Sequence, residues 1–221
     1  MKGPLVWDLP TRLFHWGLVV LVLIAWRSAE TEDMTAHGLA GSGVAGLLVF
    51  RLWWGLFGGS TARFAGFVKG PGAVAAYARS LVAKGKAPAV AGHNPMGGWS
   101  VAALLACLIA LVGFGLFAVD TDGMVSGPLS AWVEYDTGRA ASHYHALAFD
   151  LLEGLVALHL LAIVFYHFFK RHNLVGAMVT GRLSPPPDGP GLRAGSPVML
   201  ALGAALGLAT ALLLARLGGV V

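Results

Sequence analysis

The chain has 221 residues, of which 57% are hydrophobic and 12% charged, and its formal net charge is +4. Soluble domains carry about 25% charged residues, so this composition, with a mean hydropathy of +0.72, excludes an ordinary soluble fold and leaves room for four or five spanning helices. One cysteine, Cys107, excludes a disulfide framework.

In chain order, apolar runs of spanning length are predicted at about 11–27, 37–58, 98–119, 143–169 and 197–217, each near the roughly 20 residues that cross a bilayer. The first is read as a retained helix, because Lys2 alone precedes it and no small-residue cleavage site follows. The connection between Ser28 and Ala36 is acidic, with Glu30, Glu32 and Asp33. That from Gly59 to Gly97 is basic, with Arg63, Lys69, Arg79, Lys84 and Lys86, and its segment Pro71–Lys86 is expected to form a short helix at the membrane surface. From Asp120 to Ser142 the chain is acidic again: Asp120, Asp122, Glu134 and Asp136 face Arg139 alone. The fourth connection holds Lys170, Arg171, Arg182 and Arg193 beside a proline-rich stretch, Pro185 to Pro190.

Basic residues thus alternate sides with each crossing. This places the N-terminus and the second and fourth loops in the cytoplasm, and the C-terminus outside. Lipid headgroups account for the net positive charge, and no nucleic-acid partner is needed. The expected fold is all-α: an integral membrane four-helix bundle over residues 1–182, a linker at 183–196, and an additional fifth transmembrane helix within 197–221. Gly203 and Gly207 give that last helix a GxxxG spacing, suited to close packing on another helix of this chain or of a second copy in a homodimer.

Histidines inside apolar helices carry the chemistry, since polar groups in a bilayer are costly and mark functional sites. His15, in Arg12-Leu13-Phe14-His15-Trp16, lies toward the cytoplasmic end of the first helix, where an anchoring role is the alternative. His37 opens the second helix from the outer side, where it can also serve as a cap. His145 and His159 are fourteen residues apart, which returns them to within about 40° of one helix face, about 21 Å apart along the axis. His143 falls about 160° from His159, so His145 is preferred. His167 and His172, near Lys170, read as interfacial or solvated, and Cys107 as a packing residue. His93, in Gly92-His93-Asn94-Pro95, either serves a turn or meets a propionate or a quinone headgroup.

Depth matching pairs His37 with His145 in the outer half and His15 with His159 in the inner half. The separation of about 21 Å excludes one shared ion, and two histidines without a carboxylate or thiolate make a poor zinc site. Neutral bis-imidazole ligation of haem iron suits an apolar setting. With no Cys-x-x-Cys-His motif present, such haems would be held by ligation and packing alone.

Val6-Trp7-Asp8-Leu9-Pro10-Thr11-Arg12 leading into His15-Trp16, then His37 with Arg51 fourteen residues on, Gly92-His93-Asn94-Pro95, and His145 with His159 resemble the bacterial cytochrome b561 and Ni,Fe-hydrogenase cytochrome b superfamily of dihaem membrane proteins. The resemblance covers the four core helices. It implies two b haems in the bacterial inner membrane, ligated by His15, His37, His145 and His159. It also implies electron transfer between the quinone pool and a redox partner, which is either a hydrogenase-like enzyme or a periplasmic cytochrome c. Arg51 matches a family arginine, either a propionate partner or a positive-inside anchor. Tyr144-His145-Ala146 departs from relatives that carry an acidic residue after this histidine, and Asp150 and Glu153 are left without a role.

The expected role is an electron-transfer subunit rather than a stand-alone enzyme. An acidic third loop would suit a basic partner, and a quinone site is expected in the cytoplasmic half near His93, Asn94 and Arg51. Two rivals stand beside it. A superoxide-oxidising, quinone-reducing cytochrome would favour a basic outer funnel, whereas the outer loops carry Arg27 and Arg139 against seven acidic residues. A haem-free transporter or membrane anchor would show no Soret band, and it leaves the depth-matched histidines unexplained.

Overall fold

Apolar sequence and length dictate the main elements seen in the computed structural model, which describes residues 4–82, 92–122, 125–183 and 192–220. The helices are α1 (Leu9–Glu30), α2 (Met34–Phe57), α3 (Phe64–Phe67), α4 (Pro71–Val82), α5 (Pro95–Phe117), α6 (Tyr135–Phe169), α7 (Leu174–Thr180) and α8 (Pro197–Leu217), with a 3-10 turn at Ser130–Trp132. Five of them, α1, α2, α5, α6 and α8, are long and apolar enough to cross a membrane. The protein is an all-α, multi-pass membrane protein. Among the described residues there is no sheet, only isolated bridges joining Leu5 to Arg182 and Val119 to Ser126.

The five spans follow the predicted runs, and α6 differs most. It begins at Tyr135 rather than near residue 143. Its first two turns, with Asp136 and Arg139, are too polar to register as a membrane segment, but they are fixed by local contacts. Ser142 Oγ donates to the carbonyl of Val119 at 2.6 Å, and the Val119 N–H donates to the carbonyl of Gly138 at 3.2 Å. A short helix, α4, forms within the Pro71–Lys86 segment and ends at Val82. Lys84, Lys86 and the Pro185–Pro190 part of the expected linker lie outside the described residues.

The chain forms two compact units. The first comprises Met1–Leu13, Leu52–Leu104 and Leu155–Ala201. Here Asp8 starts α1: its carboxylate accepts the Thr11 N–H at 2.8 Å, an N-cap bond. Pro10 sits in the first turn, where its missing N–H has no intrahelical partner to lose. The same carboxylate accepts the indole N–H of Trp54 at 3.0 Å, and both side chains are buried. No side chain fits beside them: a Cβ on Gly59 would stand 2.6 Å from Asp8 Oδ2, and one on Gly195 2.6 Å from the Trp54 ring. The approach to α8 is tied down at this corner. Arg193 donates its N–H to Ser60 Oγ at 3.0 Å and accepts the Ser60 N–H at 3.0 Å. At the other end of the expected linker, Leu183 packs with Val6, Trp7 and Ala177.

Asp8→Ala removes a cap and leaves a buried indole N–H without its acceptor, so it should destabilise the protein by about 2–3 kcal/mol. Thermal unfolding in detergent checks this, and a midpoint equal to that of the unsubstituted protein would remove Asp8 from the list of stabilising groups.

The second unit comprises Phe14–Arg51, Leu105–Gly154 and Leu202–Val221. Only Thr31–Asp33 separates α1 from α2. Glu32 adopts a left-handed φ of 59°. This lets the Asp33 N–H reach the Ser28 carbonyl at 2.9 Å and the Glu32 N–H reach that of Ala29 at 3.2 Å, a Schellman closure. Asp33 then caps α2 by accepting the Ala36 N–H at 3.0 Å. The cap of α2 is therefore Asp33 and not His37.

Small residues let α2 approach its neighbours in this unit. A Cβ on Gly43 would stand 2.8 Å from Leu21 of α1. Gly46 and Gly207 cross backbone to backbone: a Cβ on either would lie 2.5 or 2.6 Å from the other's carbonyl oxygen. Gly203 is buried as well. Of the two packing partners open to the GxxxG face, Gly207 meets a helix of its own chain, α2. Cys107 packs α5 on α6, its thiol 3.3 Å from the Ala148 carbonyl.

Candidate functional site

Two of the four singled-out histidines meet in the second unit. His37 lies in the first turn of α2, and α6 carries His145 ten residues after its start. Their ring centroids are 6.1 Å apart and their planes are 77° apart. Each ring is held through Nδ1 by a carbonyl of another helix: His37 by Ala25 of α1 at 2.9 Å, and His145 by Leu111 of α5 at 2.8 Å. A carbonyl only accepts, so each Nδ1 carries the hydrogen and each Nε2 keeps its lone pair. Gly115 makes room for this ring, since a Cβ there would stand 2.9 Å from the Nδ1 of His145.

The other sequence-predicted residues are distributed over both units. His15 lies in the second, half-buried and edge-on to Trp16 with centroids 4.9 Å apart. Arg51, in the same unit, is 2% exposed and lies 5.9 Å from the centre of the Phe14 ring. His159 is half-buried in the first unit. His93, also in the first, is clasped between Trp7 and Phe67, with centroids 4.6 and 4.5 Å away. Gly92, with φ of 89°, makes the turn before it. His143 and His167 are exposed. Outside the spans, burial and the positive charge of Lys170 push the pKa of His172 down.

A family model described as prokaryotic cytochrome b561 matches residues 6–181. The chain belongs to this family. No curated protein and no solved structure matches it. Membership implies a haem-binding, b-type membrane cytochrome, and the match ends before α8 begins.

The paired histidines fit the group that a cytochrome b561 holds. Two metal–imidazole bonds of about 2 Å, plus the distance from each bonded nitrogen to its ring centre, bring the centroids about 6 Å apart, as observed here. The second-sphere carbonyls fix the tautomer that leaves Nε2 free for a metal. Among the described residues no cluster of three or more His, Cys, Asp or Glu side chains could hold a metal ion.

The cytochrome also contains polar groups that sequence reasoning missed. Tyr77 of α4 and Tyr166 of α6 bring their hydroxyls within 2.9 Å, and Asn94 donates its side-chain N–H to Tyr166 at 3.0 Å. No motif flags Tyr77 or Tyr166. The available signal was a tyrosine seven residues after His159, on nearly the same helix face.

Proposed function

We propose that this chain is the electron-transfer cytochrome b of a membrane redox system. It holds two b haems, one between His37 and His145 and one between His15 and His159, and passes electrons between a partner protein and the quinone pool. The observation that carries this reading is the facing pair His37–His145, both with Nε2 freed by a carbonyl on Nδ1. Haem supplies reversible one-electron exchange when bound. The chain's residues supply ligation, ring orientation and an apolar surround.

For the second pair the support is the fourteen-residue spacing of His145 and His159, together with the half-buried state of His15 and His159. Arg51 is read as a propionate partner rather than a lipid-facing anchor, because the residue is only 2% exposed and so does not face headgroups. His93, clasped by aromatic rings beside Asn94, is the residue assigned to a quinone headgroup. The alternation of Lys and Arg between loops supports an N-terminus in the cytoplasm and a C-terminus in the periplasm.

On the outer side, Glu30, Glu32, Asp33, Asp122, Glu134 and Asp136 are exposed, while Arg139 turns its guanidinium to the Val119 carbonyl at 2.9 Å. This surface suits a basic redox protein, either a c-type cytochrome or the electron-exchanging subunit of a hydrogenase-type enzyme. It would repel superoxide. A pyridine haemochrome assay on the purified protein should give two b haems per chain with low-spin spectra. One haem, or a high-spin spectrum, would overturn the reading.

A further inference from the structure

The tyrosine pair has one hydrogen more than its acceptors use. Asn94 meets the phenols as a donor: its Oδ1 accepts the Gly97 N–H at 2.8 Å, capping α5, and its Nδ2 donates to Tyr166 Oη. Between Tyr77 Oη and Tyr166 Oη there is room for one hydrogen, whichever phenol donates it. The second phenolic hydrogen has no acceptor among the described residues. Buried tyrosine hydroxyls ordinarily find one, and Tyr77 is only 9% exposed.

The cluster sits where a membrane ligand can reach it. Tyr166 lies seven residues beyond His159, about 20° round the helix and about 10 Å further along it. Phe165, Phe168 and Phe169, at the same end of α6, are exposed, forming an apolar flank for a lipid-soluble molecule. The donors of the cluster are two phenols and an amide, and the ammonium of Lys170 is bonded to the Leu81 carbonyl at 3.1 Å. A neutral donor set of this kind matches a neutral carbonyl oxygen better than a carboxylate.

We infer that the Tyr77–Tyr166 pair donates a hydrogen bond to a carbonyl oxygen of a membrane quinone. This rests on the quinone-exchanging role proposed above and assigns that role a binding residue pair.

The test uses the full-length cytochrome in lipid nanodiscs, with its haems chemically reduced and then reoxidised by a short-chain benzoquinone. Either single variant, Tyr77→Phe or Tyr166→Phe, keeps one phenol and should show a small rise in the quinone concentration for half-maximal reoxidation. The double variant should show a rise of about tenfold, as expected for a lost hydrogen bond, with haem spectra and midpoint potentials unchanged. Wild-type kinetics in the double variant would overturn the assignment and leave the quinone role standing. A shifted haem spectrum or potential would overturn it too, since the phenols would then serve the haem pocket. If the double variant does not accumulate with haem, the singles decide: the half-maximal concentration must rise in at least one. Failure of quinone to reoxidise the unsubstituted protein would overturn the electron-transfer reading itself.

Discussion

Alanine at His37 and alanine at His145 should each lower the haem content from two per chain to one, and both should delete the same haem. The rings face each other at 6.1 Å between centroids, so either substitution opens the same iron to water or leaves it unbound. His15→Ala and His159→Ala should remove the other haem. His143→Ala is the matched control: it lies two residues from His145 but is exposed, and both haems should remain. Haemochrome quantitation with a redox titration reads the result. Loss of different haems from the His37 and His145 variants would refute the pairing, even with two haems present in the parent protein.

Gly46→Leu should be among the most destabilising single substitutions in the membrane region. A Cβ at this position would stand 2.5 Å from the Gly207 carbonyl oxygen and 2.9 Å from the Ala211 Cβ. The first of these is backbone, so no rotamer change relieves the overlap, and α8 must move off α2. A cost of about 3 kcal/mol or more is expected from such overpacking. Gly113→Ala on α5 is the contrasting control, because a Cβ there meets nothing within 4 Å and alanine favours the helix by about 1 kcal/mol. Thermal unfolding in detergent should separate the two variants clearly. Equal midpoints would mean that the Gly46–Gly207 crossing does not hold α8. Light scattering of Gly207→Leu adds a second check, since a changed oligomeric state would return the GxxxG face to a dimer.

The helices were legible in the sequence because hydropathy and length are what a bilayer selects. The runs near 11–27 and 197–217 became α1 and α8 with little change. What hydropathy could not mark was structure held by polar contacts. The first turns of α6 are helical through Ser142, Gly138 and Val119, residues that look like loop. Asp8 appeared as part of a motif, but its double duty to Thr11 and Trp54 needed coordinates to appear. Depth matching proposes the histidine pair His37–His145, whose ring centroids stand 6.1 Å apart. Its carbonyl partners at Ala25 and Leu111 were not legible in the sequence, because backbone acceptors leave no trace in side-chain identity. Tyr77 and Tyr166 are 89 residues apart, and nothing in spacing connects residues on a short connecting helix and a long apolar one.

The carbonyls that hold the two imidazoles bear on the potential of any iron placed between them. A hydrogen bond from Nδ1 to a strong acceptor makes the imidazole a better electron donor, which favours the ferric state and lowers the reduction potential. Here the acceptors belong to α1 and α5, whereas the rings hang from α2 and α6. Ligand strength at such a centre would therefore be set by how four helices register against one another. A slip of α1 along α2, or of α5 along α6, would lengthen one of these bonds, weaken that imidazole as a donor and raise the potential. The redox poise of such a centre would then depend on the mechanics of the helices that hold it as well as on the chemistry of its ligands.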